Sequence, residues 1–547
     1  MSEQHESACQ HESAAGASAS LCGHQMSRRG FMGAMGAMGA MAAGVAMAGP
    51  VVKVARASEG SAAPDAAAAS ASASADAAVS APATDNPAFQ FELEDPSTYW
   101  GENVVTPHTT RESAYANVVP ELADTPMSEL VGMVNDVLPL EEVEDAVLPD
   151  GTKVPAVYVK LRNHLNRIGQ GIGSTPIETS YQMIMYLWSE EDAQHEIEMP
   201  INTHFSALDY HYLSGRPVEE CKEILDDLAM RGMIMRAHRS GHDTYHLLPY
   251  INGFWEFNEL REYFENGGDA EGVADAPEAY AAAGKFDALG IGGAESGESF
   301  EALVPLFHTY PVSADVVEED ELAPYMDWKA IIKANEKITV SPCQCRLMWK
   351  SLGVPMCDGS GDHPFETCLS FGELAEYFDE VGIGRYITQD EAIEMVEKCM
   401  DAGMVPESLS MKDVDSMCMC HGDCCGNLSG FKAMGGQAHA NVNVNAYLLK
   451  YDREACIQCG ACIDRCPMGS ITFGEDGYCL HDNACVRCGQ CVTVCPASAR
   501  ILSYRGDYPE LGRDYVDAVE MLAAERMRRG MIVDFAGGDV QPAPSAQ

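Results

Sequence analysis

Apolar positions change their spacing several times along the chain, and each change marks a boundary. From about 120 to 265 they recur at helical intervals. The stretch TSYQMIMYLWSEEDA puts Met183, Ile184, Leu187 and Trp188 on one face of a predicted helix. Further on, SGRPVEECKEILDDLAMRGMIMRAHRSGHDTYHLLP reads as a turn, a helix stopped at Gly232, and two short strand-like runs joined at Ser240-Gly241. Helix, turn, helix and hairpin is a winged-helix order. Periodicity then disappears into an acidic Gly/Ala-rich linker or insertion at 266–300. Residues 301–440 mix helices predicted at 371–381 and 389–402 with cysteine-bearing loops. A compact block at 441–510 and a helix with a polar tail at 511–547 close the chain. The pattern predicts a multidomain α+β protein whose 91–265 part is a mainly helical, winged-helix-like scaffold.

The first 57 residues carry an address. Ser27-Arg28-Arg29-Gly30-Phe31-Met32 precedes an Ala/Gly/Met run from Gly33 to Gly49, and VARA ends at Ala57 with small residues at Ala55 and Ala57. This resembles a twin-arginine signal. It implies export to the periplasm or another extracytoplasmic space, with membrane contact only during translocation or through an uncleaved anchor. Residues 58–90 are Ala/Ser/Pro-rich and have too few large side chains to form a core, so a flexible tether is expected there.

Charge narrows the partners. Thirty-five basic against 83 acidic residues give −48, which repels nucleic acid and anionic membrane surfaces. The helix that would read DNA in a winged-helix protein carries Glu219, Glu220, Glu223, Asp226 and Asp227. An acidic surface suits brief docking to a basic redox partner.

Cysteine spacing sets the chemistry. CIQCGACIDRCP supplies Cys456, Cys459, Cys462 and Cys466, and CVRCGQCVTVCP supplies Cys485, Cys488, Cys491 and Cys495. Each run wraps three thiolates around one cubane and sends its fourth cysteine to the other cluster. Cys456, Cys459, Cys462 and Cys495 are therefore expected to hold one 4Fe–4S cluster, and Cys485, Cys488, Cys491 and Cys466 the second. Gly460 and Gly489 let the backbone approach the inorganic sulfur. Residues 447–505 closely resemble the bacterial two-cluster ferredoxins, which implies paired βαβ-like halves and one-electron transfer. Cys479 fits neither motif and reads as a packed thiol.

A second set lies upstream: Cys343, Cys345, Cys357 and Cys368, then Cys418, Cys420, Cys424 and Cys425. Three chemistries compete for it: disulfides, structural zinc with His421 as an added ligand, and one or more further iron–sulfur clusters. SPCQCR, the following cysteines, CMCHGDCC and the two ferredoxin motifs together resemble a group of 4Fe–4S dicluster proteins of anaerobic bacteria, over about 120–505. That resemblance specifies no substrate. Cys221 and Cys399 read as small buried hydrophobes.

No C-x-x-C-H, P-loop, G-x-S-x-G or H-E-x-x-H occurs, and GQGIGS at 169–174 lacks the third glycine of a dinucleotide fingerprint. The leading expectation is an exported electron carrier, more a carrier or electron-transfer subunit than a stand-alone enzyme. The alternative is a catalytic iron–sulfur reductase. Its order of signal and clusters resembles the reductive dehalogenases, and its site would lie in the upstream cysteines, with His421 as proton donor and Arg346 as anion clamp.

Overall fold

The computed structural model describes residues 120–540 apart from 123, 136–142, 173–176, 271–306, 320–321, 323–324, 352–362, 434–445, 482–483, 505–510, 529, 531 and 533. The expected export signal at 1–57, the expected tether at 58–90, nearly all of the 266–300 segment and Cys357 lie outside the described residues.

The N-terminal part is built from α1 (Met127–Asn135), the short strands β1 (Ala146–Val147) and β2 (Lys153–Val154), α2 (Ala156–Leu165), α3 (Ile177–Leu187), α4 (Glu190–Ile197), α5 (Ala207–Ser214) and α6 (Val218–Met230). Hairpin strands β3 (Ile234–Arg239) and β4 (His242–Leu247) and helix α7 (Trp255–Glu265) follow. Met183, Ile184 and Trp188 are buried on α3 and just beyond it, while Leu187 is only half-buried. Helices α4 and α5 begin with reciprocal capping boxes, Ser189 with Asp192 and Ser206 with Asp209. Helix α6 stops before Gly232, whose φ of +77° continues the chain as a left-handed turn. Part of the acidic face of α6 is engaged within the fold, since Asp226 accepts from Tyr245, Lys222 and Arg236, and Asp227 from Arg231, while Glu219, Glu220 and Glu223 are exposed.

The middle part contains β5 (Phe307–Thr309), α8 (Trp328–Ala334), β6 (Ile338–Pro342), α9 (Gln344–Ser351), β7 (Glu366–Phe371), α10 (Gly372–Glu380), β8 (Arg385–Tyr386), α11 (Gln389–Asp401), β9 (Val405–Leu409), β10 (Ser416–Cys420) and α12 (Gly426–Ala433). Its strands form one six-stranded sheet in the order β5-β9-β10-β7-β6-β8, with every neighbouring pair antiparallel. The two faces differ because strand side chains alternate. Met417 and Met419 of β10, Leu369 and Phe371 of β7, and Val340 of β6 join Val396 and Ala392 of α11 in the main apolar core. Cys418, Cys420 and Cys368 alternate with these apolar residues along the same strands.

The ferredoxin-like part runs β11 (Tyr447–Tyr451), α13 (Ala461–Arg465), β12 (Ile471–Phe473), β13 (Cys479–His481), α14 (Gln490–Thr493) and β14 (Arg500–Tyr504). Strands β11 and β14 pair antiparallel, as do β12 and β13. The chain then returns to its beginning. Helix α15 (Tyr515–Arg528) packs on α1, and β15 (Gly538–Asp539) adds in parallel to β1. Arg526 donates to the carbonyl of Asn166 at 2.7 Å and to its side-chain oxygen at 2.8 Å. Asn163 exchanges two hydrogen bonds with the backbone of Phe535.

Candidate functional site

Two pairs of short elements carry the ferredoxin cysteines. Gly460 and Gly489, at φ +78° and +86°, open α13 and α14, and each motif has a left-handed residue just before its second cysteine, Gln458 and Arg487. These turns let consecutive amides face the thiols. Gln458 N lies 3.4 Å from Cys456 Sγ, and Ala499 N lies 3.2 Å from Cys495 Sγ. Cys456, Cys459, Cys462 and Cys495 line one cavity of about 20 Å³, together with Cys479 and Arg500. Cys466, Cys485, Cys488 and Cys491 line another of about 20 Å³. Each fourth cysteine thus sits with the other motif's three. Arg500 is buried, and the thiols of Cys491, Cys462 and Cys479 strengthen its hold on its proton. Cys479 is buried with its Sγ 3.5 Å from that of Cys462.

The two cavities differ in exposure. In the outer one Cys459 is exposed, Cys456 and Cys495 are half-buried and Cys462 is buried, whereas in the inner one Cys485, Cys488 and Cys491 are buried and Cys466 is half-buried. Burial pushes the Cys485 thiol up to about 11 and that of Cys491 well above the usual range. Deprotonation there calls for a bound cation, which is what a metal ligand set requires. The inner loop is held to the middle part by several bonds. Val312 N donates to Cys488 O at 2.9 Å, and Thr309 Oγ1 to Val486 O at 2.9 Å. Gln490 Nε2 donates to the carbonyls of Met400 and Met404 at 2.8 and 2.7 Å. Arg465 reaches the Met400 and Asp401 carbonyls at 2.7 and 2.6 Å, a cation at the C-terminal end of α11.

Directly behind the inner loop lies the upstream set. Cys343 follows β6, Cys345 is on α9, Cys368 on β7, Cys418 and Cys420 on β10, and Cys425 precedes α12. Their thiols act on one another's proton affinity in the order Cys343, Cys345, Cys425, Cys420, Cys418, Cys368, and Cys343 in turn acts on Cys368, so that they form an electrostatic ring. These six thiols and Cys424 line a cavity of about 60 Å³. Hydrogen bonds from Cys368 and Cys420 hold the Cys418 thiol well below its usual range, and those from Cys345 and Cys420 bring Cys425 to about 7. Every described cysteine is free of a disulfide.

Three residues singled out in the sequence have further partners here. The Cys424 thiol bonds to Asp423, although the residue borders the cavity. His421 is not in the ring: its Nδ1 lies 2.6 Å from Asp423 Oδ1, and its ring stacks near His363. Arg346 is fully buried and donates to Pro364 O at 2.9 Å, Thr367 Oγ1 at 2.8 Å and Met419 O at 2.8 Å, so its guanidinium braces the cavity wall. One residue escaped the sequence reading. Glu407, on β9 opposite Cys418, is buried and borders the same cavity. The only signal for it is a lone carboxylate within the strand-like VPESL.

The ring and the inner ferredoxin loop share one packing layer. Cys420, Cys425, Val405 and Leu428 form a core with Met468, Val486 and Cys488, and Cys466 packs against it. Gly422 N donates to Pro467 O at 3.2 Å, and a Cβ on Gly422 would lie 2.6 Å from that oxygen. Only glycine lets the two loops meet.

Residues 455–499 match the family model described as a 4Fe-4S dicluster domain. The chain therefore carries a ferredoxin-type domain that binds 4Fe–4S iron–sulfur. No curated protein and no solved structure matches the chain. The upstream ring lies before the matched segment and outside it.

Proposed function

We propose that this protein is an exported electron carrier with two 4Fe–4S clusters, exchanging single electrons with an oxidoreductase outside the cytoplasm. The observation that carries the reading is the unequal exposure of the two four-thiol cavities, one opening at Cys459 and the other enclosed against the cysteine ring. A bound 4Fe–4S cluster supplies a one-electron donor and acceptor. The residues do the rest. Cys456, Cys459, Cys462 and Cys495 hold the outer site, Cys466, Cys485, Cys488 and Cys491 the inner one, and buried Arg500 offsets thiolate charge. The net charge of −48 favours a basic partner over nucleic acid. The helices and hairpin of 207–247 serve as a winged-helix-like scaffold, and the first 57 residues as a twin-arginine address.

A second reading, an iron–sulfur reductase, draws on the seven-cysteine cavity behind the inner loop. Anaerobic purification of the full chain, with iron, zinc and acid-labile sulfide counted, tests both. At least about eight irons and eight sulfides, as two cubanes require, with electron transfer to a viologen dye and no organic product, support the carrier. Turnover of an organic oxidant without a partner protein supports the reductase. Fewer than about four irons overturn both.

A further inference from the structure

We infer that Glu407 is the oxygen ligand of a further metal site, completed by the thiols of Cys345, Cys420 and Cys425. The inference deepens the metal reading of the upstream cysteines and holds for carrier and reductase alike. Glu407, Cys420 and Cys425 are all buried, and their ligand atoms lie within 4.8 Å of one another. Cys345 borders the same cavity and accepts from the backbone N–H of Gly426, the residue after Cys425, at 3.4 Å. Three sulfurs and one oxygen make the four-donor set that zinc takes, and thiolates also suit iron.

The surroundings are those of a ligating carboxylate. Asn427 Nδ2 donates to Glu407 Oε1, while Oε2 faces Cys425 Sγ at 3.8 Å. One oxygen is thereby oriented and the other turned to the thiols, as outer hydrogen bonds fix metal-bound carboxylates. Strand register reinforces this, because Glu407 lies opposite Cys418 on β10 and alternates with Pro406 and Ser408. A carboxylate carried into an interior strand costs several kcal/mol unless a cation or hydrogen bonds offset it.

The ferredoxin cavities supply an internal contrast. Among the described residues, none of their eight cluster cysteines belongs to a group of three or more metal-ligating atoms as close as 4.8 Å to one another, whereas Glu407, Cys420 and Cys425 do. Donors this close match ligands that share one ion rather than the corners of a cubane. Being harder than sulfur, the carboxylate oxygen is the donor of this set most readily exchanged.

The test compares the full-length wild type with Glu407→Gln and Glu407→Cys, each purified anaerobically with zinc or ferrous iron as the added metal. Metal is counted after a chelator challenge. The ligand shell is read by zinc-edge X-ray absorption, or by the Mössbauer component that differs from ferredoxin-type iron. The wild type should retain metal beyond the ferredoxin iron in a mixed sulfur–oxygen shell. Glu407→Gln should release it at least about tenfold more readily, and Glu407→Cys should retain it in an all-sulfur shell. Ferredoxin-type iron should stay constant in all three, which reports that each variant is folded and separates this inference from the cluster reading. Wild-type protein without additional metal overturns the proposal. So do variants that match the wild type in both retention and spectrum.

Discussion

In the ferredoxin unit three thiols of each site come from one tight loop, and only the fourth is borrowed from the other motif. In the ring, six thiols are delivered by two helix starts, a β-strand end and two strands of the antiparallel sheet. The first kind of site is written into local backbone, through Gly460, Gly489 and the left-handed Gln458 and Arg487. The second is written into register. A slip of β10 by one residue would turn Cys418 and Cys420 onto the apolar face and bring Met417 and Met419 to the cavity. The same residue type therefore yields one site that tolerates distant change and one that does not.

The sharpest way to break this comparison is to remove one cysteine from each region. Cys488→Ser should lower iron from about eight to about four per chain, with sulfide falling in step. Cys418→Ser should leave that iron and sulfide in place. Elemental analysis decides, and a loss of ferredoxin iron in Cys418→Ser would show that the two regions are one unit.

A smaller effect tests the dependence on the sheet. Arg346→Met abandons three oxygen acceptors that line the ring's wall. Leaving them buried should cost about 3–5 kcal/mol, read as a shift in denaturation midpoint. Hydrogen exchange should quicken in β7 and β10 while the ferredoxin loops keep their protection.

The smallest effect lies outside both regions and calibrates them. Burial raises the Glu196 carboxyl to about 8, despite a hydrogen bond from Trp188. Because the folded value exceeds the unfolded one, its stabilising contribution is complete below about pH 4.5 and is lost as pH rises through 8. Glu196→Gln should therefore gain roughly 1–3 kcal/mol on the wild type between pH 5 and 8. Melting curves at the two pH values check this, and the ring and ferredoxin metals should not respond.

What could be read from the sequence follows the same division. The eight ferredoxin cysteines repeat at fixed spacing, and Gly232, Ser240-Gly241 and the helices near 371–381 and 389–402 are marked by local turn and capping chemistry. Thr388 with Glu391, for example, is a capping box visible in the letters themselves. The strand order β5-β9-β10-β7-β6-β8 has no local signature, since nothing in VPESL announces Cys418 as the neighbour of Glu407. His421 lies among cysteines in sequence, but the turn before α12 places it with Asp423 and His363 rather than in the ring. Spacing along the chain reveals ligands that share a loop and misleads where a turn reverses direction.

The return of the chain to β1 sets an order of events during synthesis. Strand β15 and Arg526 leave the ribosome only after the entire ferredoxin unit, so α2 and β1 wait on the order of tens of seconds for their partners. Until then the Asn166 and Gly169 carbonyls lack the guanidinium that clasps them. A product terminated before Arg526 would keep that clasp open, leaving an unfinished end that a protease can distinguish from the completed protein.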